Sequence, residues 1–265
     1  MDEHSGTGRD ACGADLTSTG GSLGEEAFRL MGPVLLARHG QSSWNSQGRY
    51  TGWTDVPLTD LGYMEAVELA DSIERCGWIP DRIYTSMLRR ALSTAEIVAE
   101  RLGLPRSAVV ASWRLNERHM GVLQGMTKQQ VADTYGRRQA KAWRRGEGSE
   151  PPAMEEKDLR HPRWDPIYSG VPRALLPSTE NIATLSQRML PYWYGTIAAE
   201  LKSATVMIVG HSDVICALGT HLGLDEQAAR LPNGGAIATW LEGPGVAIAC
   251  QSVGANQGSL QPVRL

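Results

Sequence analysis

The sequence predicts an α/β fold, a three-layer sandwich in which a mainly parallel β-sheet carries helices on both faces. Short apolar runs at 34–37 and 205–209 end in polar turns, which is typical of strands buried inside a parallel sheet. Segments with helical periodicity lie between such runs. Strands that alternate with helices along one chain favour a parallel sheet that is covered on both sides.

The first elements after position 33 are a strand and a helix. Val34 to Ala37 form the predicted strand. Thr59 is expected to cap a helix that runs to Cys76 and ends at Gly77, because threonine is a preferred N-cap and glycine a preferred terminator.

The remaining elements continue the alternation, apart from a proline-rich excursion at 146–177 that has little periodicity. The helix predicted at 179–201 carries an apolar stripe from Ile182 to Ile197, which we interpret as core or subunit interface. The other predicted elements are a strand at 82–85, a helix at 88–102, a strand at 205–209, and outer strands at 236–241 and 247–252.

Residues 1–30 differ in composition from the rest of the chain. They are rich in glycine, serine, threonine and aspartate, and poor in large apolar side chains. Such a segment cannot bury enough surface to offset the entropy of ordering. We therefore expect a disordered N-terminal extension at 1–30 and a single catalytic domain at 31–265, with Met31 as the initiating residue.

Composition and charge exclude several classes of function. The 265-residue chain has a net charge of −3, so no overall basic field attracts nucleic acid or an acidic membrane. Its four cysteines lack metal-finger spacing, and no apolar run approaches the ~20 residues that cross a bilayer. No segment has the pattern of a signal peptide. We expect a cytoplasmic enzyme with no metal ion, no nucleic-acid partner and no membrane contact.

Two predicted strand ends lead directly into histidine, at His39 and His211. Because ligands bind at the carboxyl ends of strands in such folds, we expect both histidines to share a pocket with Arg38 and Arg90. Guanidinium groups suit phosphate oxygens, and an anionic ligand explains unpaired ones in a pocket. Gly40 is expected to let the backbone approach that ligand closely.

These residue types suit phosphoryl transfer to a histidine. Neutral imidazole at His39 is a nucleophile, and neighbouring arginine charges disfavour its protonated form. Arg90 and His211 would stabilise the charge on the transferred group. Glu117 would protonate the leaving oxygen and later deprotonate the incoming hydroxyl. We expect activity to fall in acid, as His39 becomes protonated.

The sequence around His39 resembles the phosphohistidine motif of the histidine phosphatase superfamily. The run LARHGQS, followed by WN, carries this resemblance, and WRLNERHMGVLQG around Glu117 is similar to a block of cofactor-dependent phosphoglycerate mutases. The similarity runs in one order from about Pro33 to Gly258. The other blocks that carry it are YTGWTDV at 50–56 and the segments 84–90, 143–145, 177–180, 191–193 and 256–258.

The resemblance implies a phosphoglycerate mutase-like fold and a role for each matching residue. His39 would carry the phosphate and Glu117 would exchange the proton. The phosphate pocket would be lined by Arg38, Asn45, Arg90 and His211. The distal half of the substrate would contact Ser42, Thr51, Gly52, Lys128, Arg144 and Arg145.

The resemblance also implies partners and a primer. The family uses no metal, and 2,3-bisphosphoglycerate primes its histidine. The C-terminal tail, here 253–258, would fold over the mouth of the site. Related mutases are often dimers or tetramers, so a homodimer or homotetramer is expected. The implied substrate is a small phosphorylated acid of glycolysis and gluconeogenesis.

Four positions in or beside the expected substrate pocket depart from the mutase pattern. Met120 stands where the family places a substrate-contacting tyrosine, and Cys216 replaces an arginine. Ser212 and Asp213 follow the second histidine where the family has Gly-Asn. A carboxylate about 4 Å from a phosphate charge would cost on the order of 4 kcal/mol at an effective dielectric near 20. Either Asp213 turns away, or it pairs with an arginine at 144–145, or the substrate presents a hydroxyl or amine there.

Three functions stay open from the sequence. The first is a mutase that interconverts 3-phosphoglycerate and 2-phosphoglycerate. The second is a phosphatase or altered mutase that acts on another small phosphorylated acid, which Met120 and Asp213 favour. The third is a non-catalytic protein that binds a phosphorylated ligand, against which the intact set around His39 argues.

Overall fold

The core of the fold is a seven-stranded β-sheet, in a computed structural model that describes residues 34–241, 247–253 and 262–263. The strands are β1 Val34–Arg38, β2 Arg82–Thr85, β3 Val109–Ala111, β4 Val206–Gly210, β5 Ala236–Leu241, β6 Ala247–Val253 and β7 Pro262–Val263. Their spatial order is β3-β2-β4-β1-β5-β6-β7. The first four pair in parallel, and the last three add antiparallel pairs on the far side of β1.

The helices alternate with the strands as the sequence predicts. Their bounds are α1 Ser43–Ser46, α2 Asp60–Cys76, α3 Arg89–Arg101, α4 Lys128–Tyr135, α5 Arg137–Arg145, α6 Ile182–Tyr192, α7 Ala198–Glu200, α8 Ser212–His221 and α9 Glu226–Ala229. Within the described ranges, no helix is long and apolar enough to span a membrane.

Successive strand residues point into two separate cores, which makes the fold a three-layer sandwich. Val34 and Leu36 are buried on one face, in a cluster with side chains of α6 and α8. Leu35 and Ala37 are buried on the opposite face, in a cluster with side chains of α2 and α3. Because the side chains of a strand alternate between its two faces, one apolar run supplies both cores. The predicted fold class is confirmed.

The helix predicted after Thr59 has the expected termini. The Thr59 hydroxyl accepts a hydrogen bond from the Gly62 amide, and Gly77 ends α2 with a φ of 70°. The strand predicted at 82–85 and the helix predicted at 88–102 appear as β2 and α3. The type and position of these elements are therefore specified by capping residues and periodicity within each segment.

The helix predicted at 179–201 differs from the observed one at both ends. It begins later, because Asn181 is the N-cap and its side chain accepts a hydrogen bond from the Thr184 amide at 2.9 Å. At the other end, a π-helical turn at Trp193–Ile197 separates α6 from α7. The apolar stripe belongs to the core of one face, where Leu185 is fully buried.

Three other predictions concern the excursion at 146–177, the N-terminal extension and the tail at 253–258. The excursion at 146–177 contains the 3₁₀ turns Pro162–Trp164, Pro166–Tyr168 and Arg173–Leu175. The predicted N-terminal extension, together with Met31, lies outside the described residues. Residues 254–258 of the predicted tail also lie outside them.

Candidate active site

The two predicted histidines meet at the carboxyl ends of neighbouring strands. β1 ends at Arg38 and pairs with the end of β4 at Gly210. The His39 amide donates to the Gly210 carbonyl at 3.0 Å. The rings of His39 and His211 lie with their centroids 5.1 Å apart, inclined by 63°. Sheet pairing therefore brings together two residues that are distant in the sequence.

The hydrogen bonding of His39 leaves one ring nitrogen available for attack. Nδ1 lies 2.6 Å from the Gly40 carbonyl, and a carbonyl can only accept, so Nδ1 carries the proton. Nε2 then has a lone pair. Burial, followed by the charges of Arg90 and Arg38, holds the pKa of His39 well below its usual range. The ring is neutral at physiological pH.

We assign the opposite tautomer to His211 from its contact with Ser86. The Ser86 hydroxyl accepts from the Leu88 amide at 3.2 Å and lies 2.7 Å from Nε2 of His211, and we assign its own proton to that contact. The proton of the neutral ring is then on Nδ1, which is buried without a hydrogen-bond partner among the described atoms. Burial and the Arg90 charge lower the pKa of His211. A buried, unsatisfied N–H suits an anionic oxygen.

Arg38 and Arg90 flank the histidine pair. Arg90 is 1% exposed and donates through its two Nη atoms to the carbonyls of Gly52 and Thr54, at 2.8 and 3.0 Å. Arg38 donates through Nη1 to the Leu231 carbonyl at 3.1 Å, while its Nε is buried and unpartnered. Burial lowers the pKa of Arg90 to about 10, so its charge persists at neutral pH.

Asn45 presents donors to the same pocket. Its Oδ1 accepts from the amide and hydroxyl of Ser42, at 3.1 and 2.9 Å, and from Asn233 at 3.3 Å. The carbonyl end is thereby fixed, which leaves the NH₂ end free to donate. Ser42 is fully buried behind Asn45 and does not line the cavity, so the predicted substrate contact at Ser42 is replaced by a positioning contact.

Gly40 is required for a different reason from the one predicted. A Cβ built at Gly40 would lie 2.2 Å from the carbonyl oxygen of Gly62 in α2. The absent side chain lets helix α2, rather than a ligand, approach the loop.

The predicted proton donor, Glu117, also faces the pocket. Its Oε1 accepts from the Arg118 amide at 2.8 Å. Burial is the larger of the causes that raise its pKa to about 7, and the charge of Asp213 is the next. A carboxyl group with this pKa exists in both protonation states near neutral pH, as a group that donates and then removes a proton must.

Asp213 forms a buried ion pair with Arg118, a partner that the sequence did not indicate. Arg118 Nε lies 2.6 Å from Asp213 Oδ2, and the two side chains are 2% and 13% exposed. Of the three alternatives left open by the sequence, pairing with Arg144 or Arg145 is not observed, because Asp213 pairs with Arg118 and Arg145 faces Glu147 at 3.5 Å. Because Arg118 neutralises Asp213, the carboxylate adds little repulsion toward a bound anion.

The site contains one cavity of about 820 Å³, and the predicted residue His211 is buried beside His39 rather than in the lining of that cavity. The predicted residues that line it are Arg38, His39, Asn45, Thr51, Gly52, Arg90, Glu117, Met120, Lys128, Arg144, Arg145, Ser212 and Asp213. The lining residues that sequence reasoning missed are Gly48, Arg49, Tyr50, Arg118, Glu147, Asp225, Glu226, Gln227 and Arg230. Eight of the described lining side chains are cationic and five are acidic, so the cavity favours anions. Cys216 is buried in α8 and is not part of the lining.

Comparisons with known proteins agree with this geometry. The family model of the histidine phosphatase superfamily (branch 1) matches residues 34–173. The chain belongs to the histidine phosphatase superfamily. A 2,3-bisphosphoglycerate-dependent phosphoglycerate mutase 2 of Bacteroides thetaiotaomicron is 41% identical over 193 residues, which are 72% of this chain and 78% of that protein. A 2,3-bisphosphoglycerate-dependent phosphoglycerate mutase of Elusimicrobium minutum is 39% identical over 193 residues, with the same shares covered.

A solved structure places a hydrolase among the relatives of this superfamily member. Mycobacterial hydrolase 1 superposes with a TM-score of 0.58 at 25% identity, covering 78% of this chain and 88% of its own. The superfamily membership predicted from the motif around His39 is confirmed, and with it the conclusion that the protein is an enzyme. Within the described part of the chain, no group of three or more His, Cys, Asp or Glu side chains is arranged to hold a metal ion.

Proposed function

We propose that this enzyme interconverts 3-phosphoglycerate and 2-phosphoglycerate through a phosphohistidine at His39. The observation that carries the proposal is the pair of buried histidines at the strand ends, whose ring centroids lie 5.1 Å apart, with the tautomers assigned above. His39 has a free lone pair on Nε2, and His211 has an unpartnered N–H on Nδ1 beside it. The two relatives named as mutases, at 41% and 39% identity, support the same reaction.

The proposed chemistry follows from the positions of the protons. Nε2 of His39 attacks phosphorus, an N–P bond forms, and the bond from phosphorus to the leaving oxygen breaks. Glu117 delivers its proton to that oxygen. In the return step, the ionised Glu117 removes the proton from the accepting hydroxyl, and the N–P bond breaks. Arg38, Arg90 and the Nδ1–H of His211 stabilise the transferred oxygens.

The cationic lining of the cavity beyond Arg38 and Arg90 fits a second anionic group. Lys128 and Arg144 belong to this lining, and neither forms an ion pair in the described residues. They suit the carboxylate of a phosphoglycerate, and both sets of cations together suit 2,3-bisphosphoglycerate, which would supply the first phosphoryl group to His39. We place the reaction in cytoplasmic glycolysis and gluconeogenesis as part of the same proposal.

A second candidate is a phosphatase or altered mutase for another small phosphorylated acid. Met120 and Asp213 favour it, because both line the cavity and depart from the mutase pattern. In that case water would remove the phosphoryl group from His39.

The experiment compares isomerisation with phosphate release. We expect turnover of 3-phosphoglycerate to 2-phosphoglycerate that depends on added 2,3-bisphosphoglycerate, and an acid-labile phosphate on the protein that is absent from His39→Asn. His221→Asn, at an exposed histidine on α8, is the matched control and should behave as the wild type. Phosphate release without isomerisation would establish the second candidate. Binding without any phosphoenzyme would indicate a non-catalytic protein.

A further inference from the structure

Glu117 lies in a segment that has little regular structure of its own. A 3₁₀ turn at Trp113–Leu115 precedes it, and the backbone from 116 to 120 is irregular. The carbonyls of such a buried segment need partners from elsewhere in the fold. The identity of those partners determines how firmly the Glu117 carboxyl group is held.

The guanidinium group of Arg188 supplies most of these partners. Arg188 lies in α6 and is 8% exposed. Its Nη1 donates to the carbonyls of Trp113 at 3.2 Å and Arg114 at 2.8 Å. Its Nη2 donates to the carbonyls of Asn116 at 3.0 Å and Glu117 at 3.2 Å. One side chain therefore binds four carbonyls along the segment.

Glu180 completes the arrangement on the other side of Glu117. It accepts from Nε and Nη2 of Arg188 at 2.7 and 2.9 Å. Its Oε2 also accepts from the His119 amide at 2.8 Å, and its own amide donates to the His119 carbonyl at 2.9 Å. The backbone is thus held on both sides of the residue that is proposed to exchange the proton.

Trp53 makes the shortest contact with Glu117 itself. Its indole Nε1 donates to the Glu117 carbonyl at 2.5 Å. The Arg188 guanidinium lies 5.3 Å from the centre of the same ring, and Tyr168 packs against it at 5.1 Å. Trp53 is 5% exposed and has little freedom to move.

We propose that Trp53 and Arg188 are positioning residues that set the reach of the Glu117 carboxyl group through its backbone carbonyl. Neither residue lines the cavity, so neither touches the substrate. A proton donor must lie within hydrogen-bond distance of the leaving oxygen, and a misplacement of about 1 Å costs roughly 100-fold in rate. The inference rests on the proposed acid–base role of Glu117.

The test uses two phosphoryl donors that differ in their need for a proton. A phosphoglycerate alkoxide leaves 2,3-bisphosphoglycerate only if it is protonated, whereas p-nitrophenol leaves p-nitrophenyl phosphate as an anion. We expect Trp53→Phe to slow phosphorylation of His39 by 2,3-bisphosphoglycerate about tenfold, measured by rapid quench. The same variant should change phosphorylation by p-nitrophenyl phosphate less than twofold. The matched control is Trp164→Phe. It also removes an indole N–H that donates to a carbonyl, that of Glu156 at 2.8 Å, and should leave both rates unchanged.

Arg188→Lys provides a second variant in case the first fails to fold. It keeps a cation beside Glu180 but lacks the fork that binds four carbonyls, so we expect a donor-dependent loss of up to about 100-fold. An equal loss with both donors, or no loss with either in a folded variant, would overturn the inference and leave the proposed function intact. A wild-type protein that forms no phosphoenzyme with either donor would refute the proposed function and this inference together.

Discussion

Replacing Asp213 tests the buried ion pair in the wall of the cavity. Arg118 is 2% exposed and its Nε lies 2.6 Å from the Asp213 carboxylate. Unit charges about 4 Å apart attract by about 4 kcal/mol at an effective dielectric near 20, and desolvation offsets much of that attraction. Asp213→Ala leaves a buried guanidinium unpaired, so we expect the free energy of unfolding to fall by about 3 kcal/mol. Asp213→Asn keeps an acceptor for Nε, and we expect a loss of about 1–2 kcal/mol.

The same substitution also changes the electrostatic surroundings of Glu117, the proposed proton donor. The charge of Asp213 is second only to burial in raising the pKa of Glu117 to about 7. Without that charge the pKa of Glu117 falls, and a smaller fraction of the carboxyl group is protonated at any pH near 7. We expect the alkaline limb of His39 phosphorylation to move to lower pH in Asp213→Asn.

Two measurements decide this prediction. Urea unfolding followed by tryptophan fluorescence gives the free energy of unfolding of each variant, and rapid quench between pH 6 and 9 gives the alkaline limb. The matched control is Asp71→Asn, which removes a 2.7 Å pair with the half-exposed Arg101 and should cost far less. Equal stability losses at positions 71 and 213, or an unmoved alkaline limb, would refute the reasoning about the buried pair.

The remaining predictions concern a tautomer, the pH dependence of stability and the approach of the substrate. Ser86→Ala lets the His211 proton move from Nδ1 to Nε2, which removes a donor to the bound anion, so KM for 3-phosphoglycerate should rise about tenfold. The control Ser46→Ala, at an exposed hydroxyl, should leave KM unchanged. The pKa values of His39, His119 and His211 are all lowered in the folded state, so below pH 6.5 the unfolded chain binds more protons. The free energy of unfolding should therefore fall in acid, by at most about 1.4 kcal/mol per histidine at pH 5.5. Glu117, whose pKa is raised in the folded state, should partly offset this loss. A urea midpoint that is constant from pH 7 to 5 would contradict the prediction. Helix α5, RRQAKAWRR, carries five cationic side chains and no acidic one beside the cavity, which would steer an anionic substrate toward it. Arg138→Glu should therefore lower kcat/KM several-fold at low salt with kcat unchanged. An effect that survives high salt would exclude electrostatic steering of the substrate.

The loss of activity in acid that the sequence predicts is expected at a lower pH once the burial of His39 is known. The sequence indicates that His39 loses nucleophilicity as it is protonated, and its ordinary pKa is near 6.5. Burial and two arginine charges move that protonation well below 6.5. Loss of activity in acid is therefore expected only well below the usual range of histidine, where loss of the folded state also contributes.

The sequence could predict what depends on local pattern. The apolar runs, the cap at Thr59 and the terminator at Gly77 specify their elements through contacts a few residues apart. The positions of His39 and His211 follow from a general property of parallel sheets, since the ends of their strands share one edge. These inferences need no knowledge of distant partners.

Contacts between side chains far apart in the sequence could not be predicted in this way. The arginine beside Asp213 is Arg118, 95 positions away, and residue type alone does not distinguish it from Arg144 or Arg145. Ser86 reaches His211 across 125 positions. In each case the partner is selected by the packed geometry of the sheet and its loops. The necessity of glycine at position 40 is likewise visible only once α2 is in place.

The pairing of β1 with β4 has a consequence for biosynthesis. The central strand of the sheet finds a parallel neighbour only when residues 206–210 are available, so the strand segment Val34–Arg38 of an emerging polypeptide has no parallel partner until they are synthesised. Pairings between such remote segments are slow, and uncovered strands of this kind are prone to aggregate. His39 and His211 can therefore meet only after the segment that contains β4 has been synthesised, and assistance by chaperones would matter most before that point.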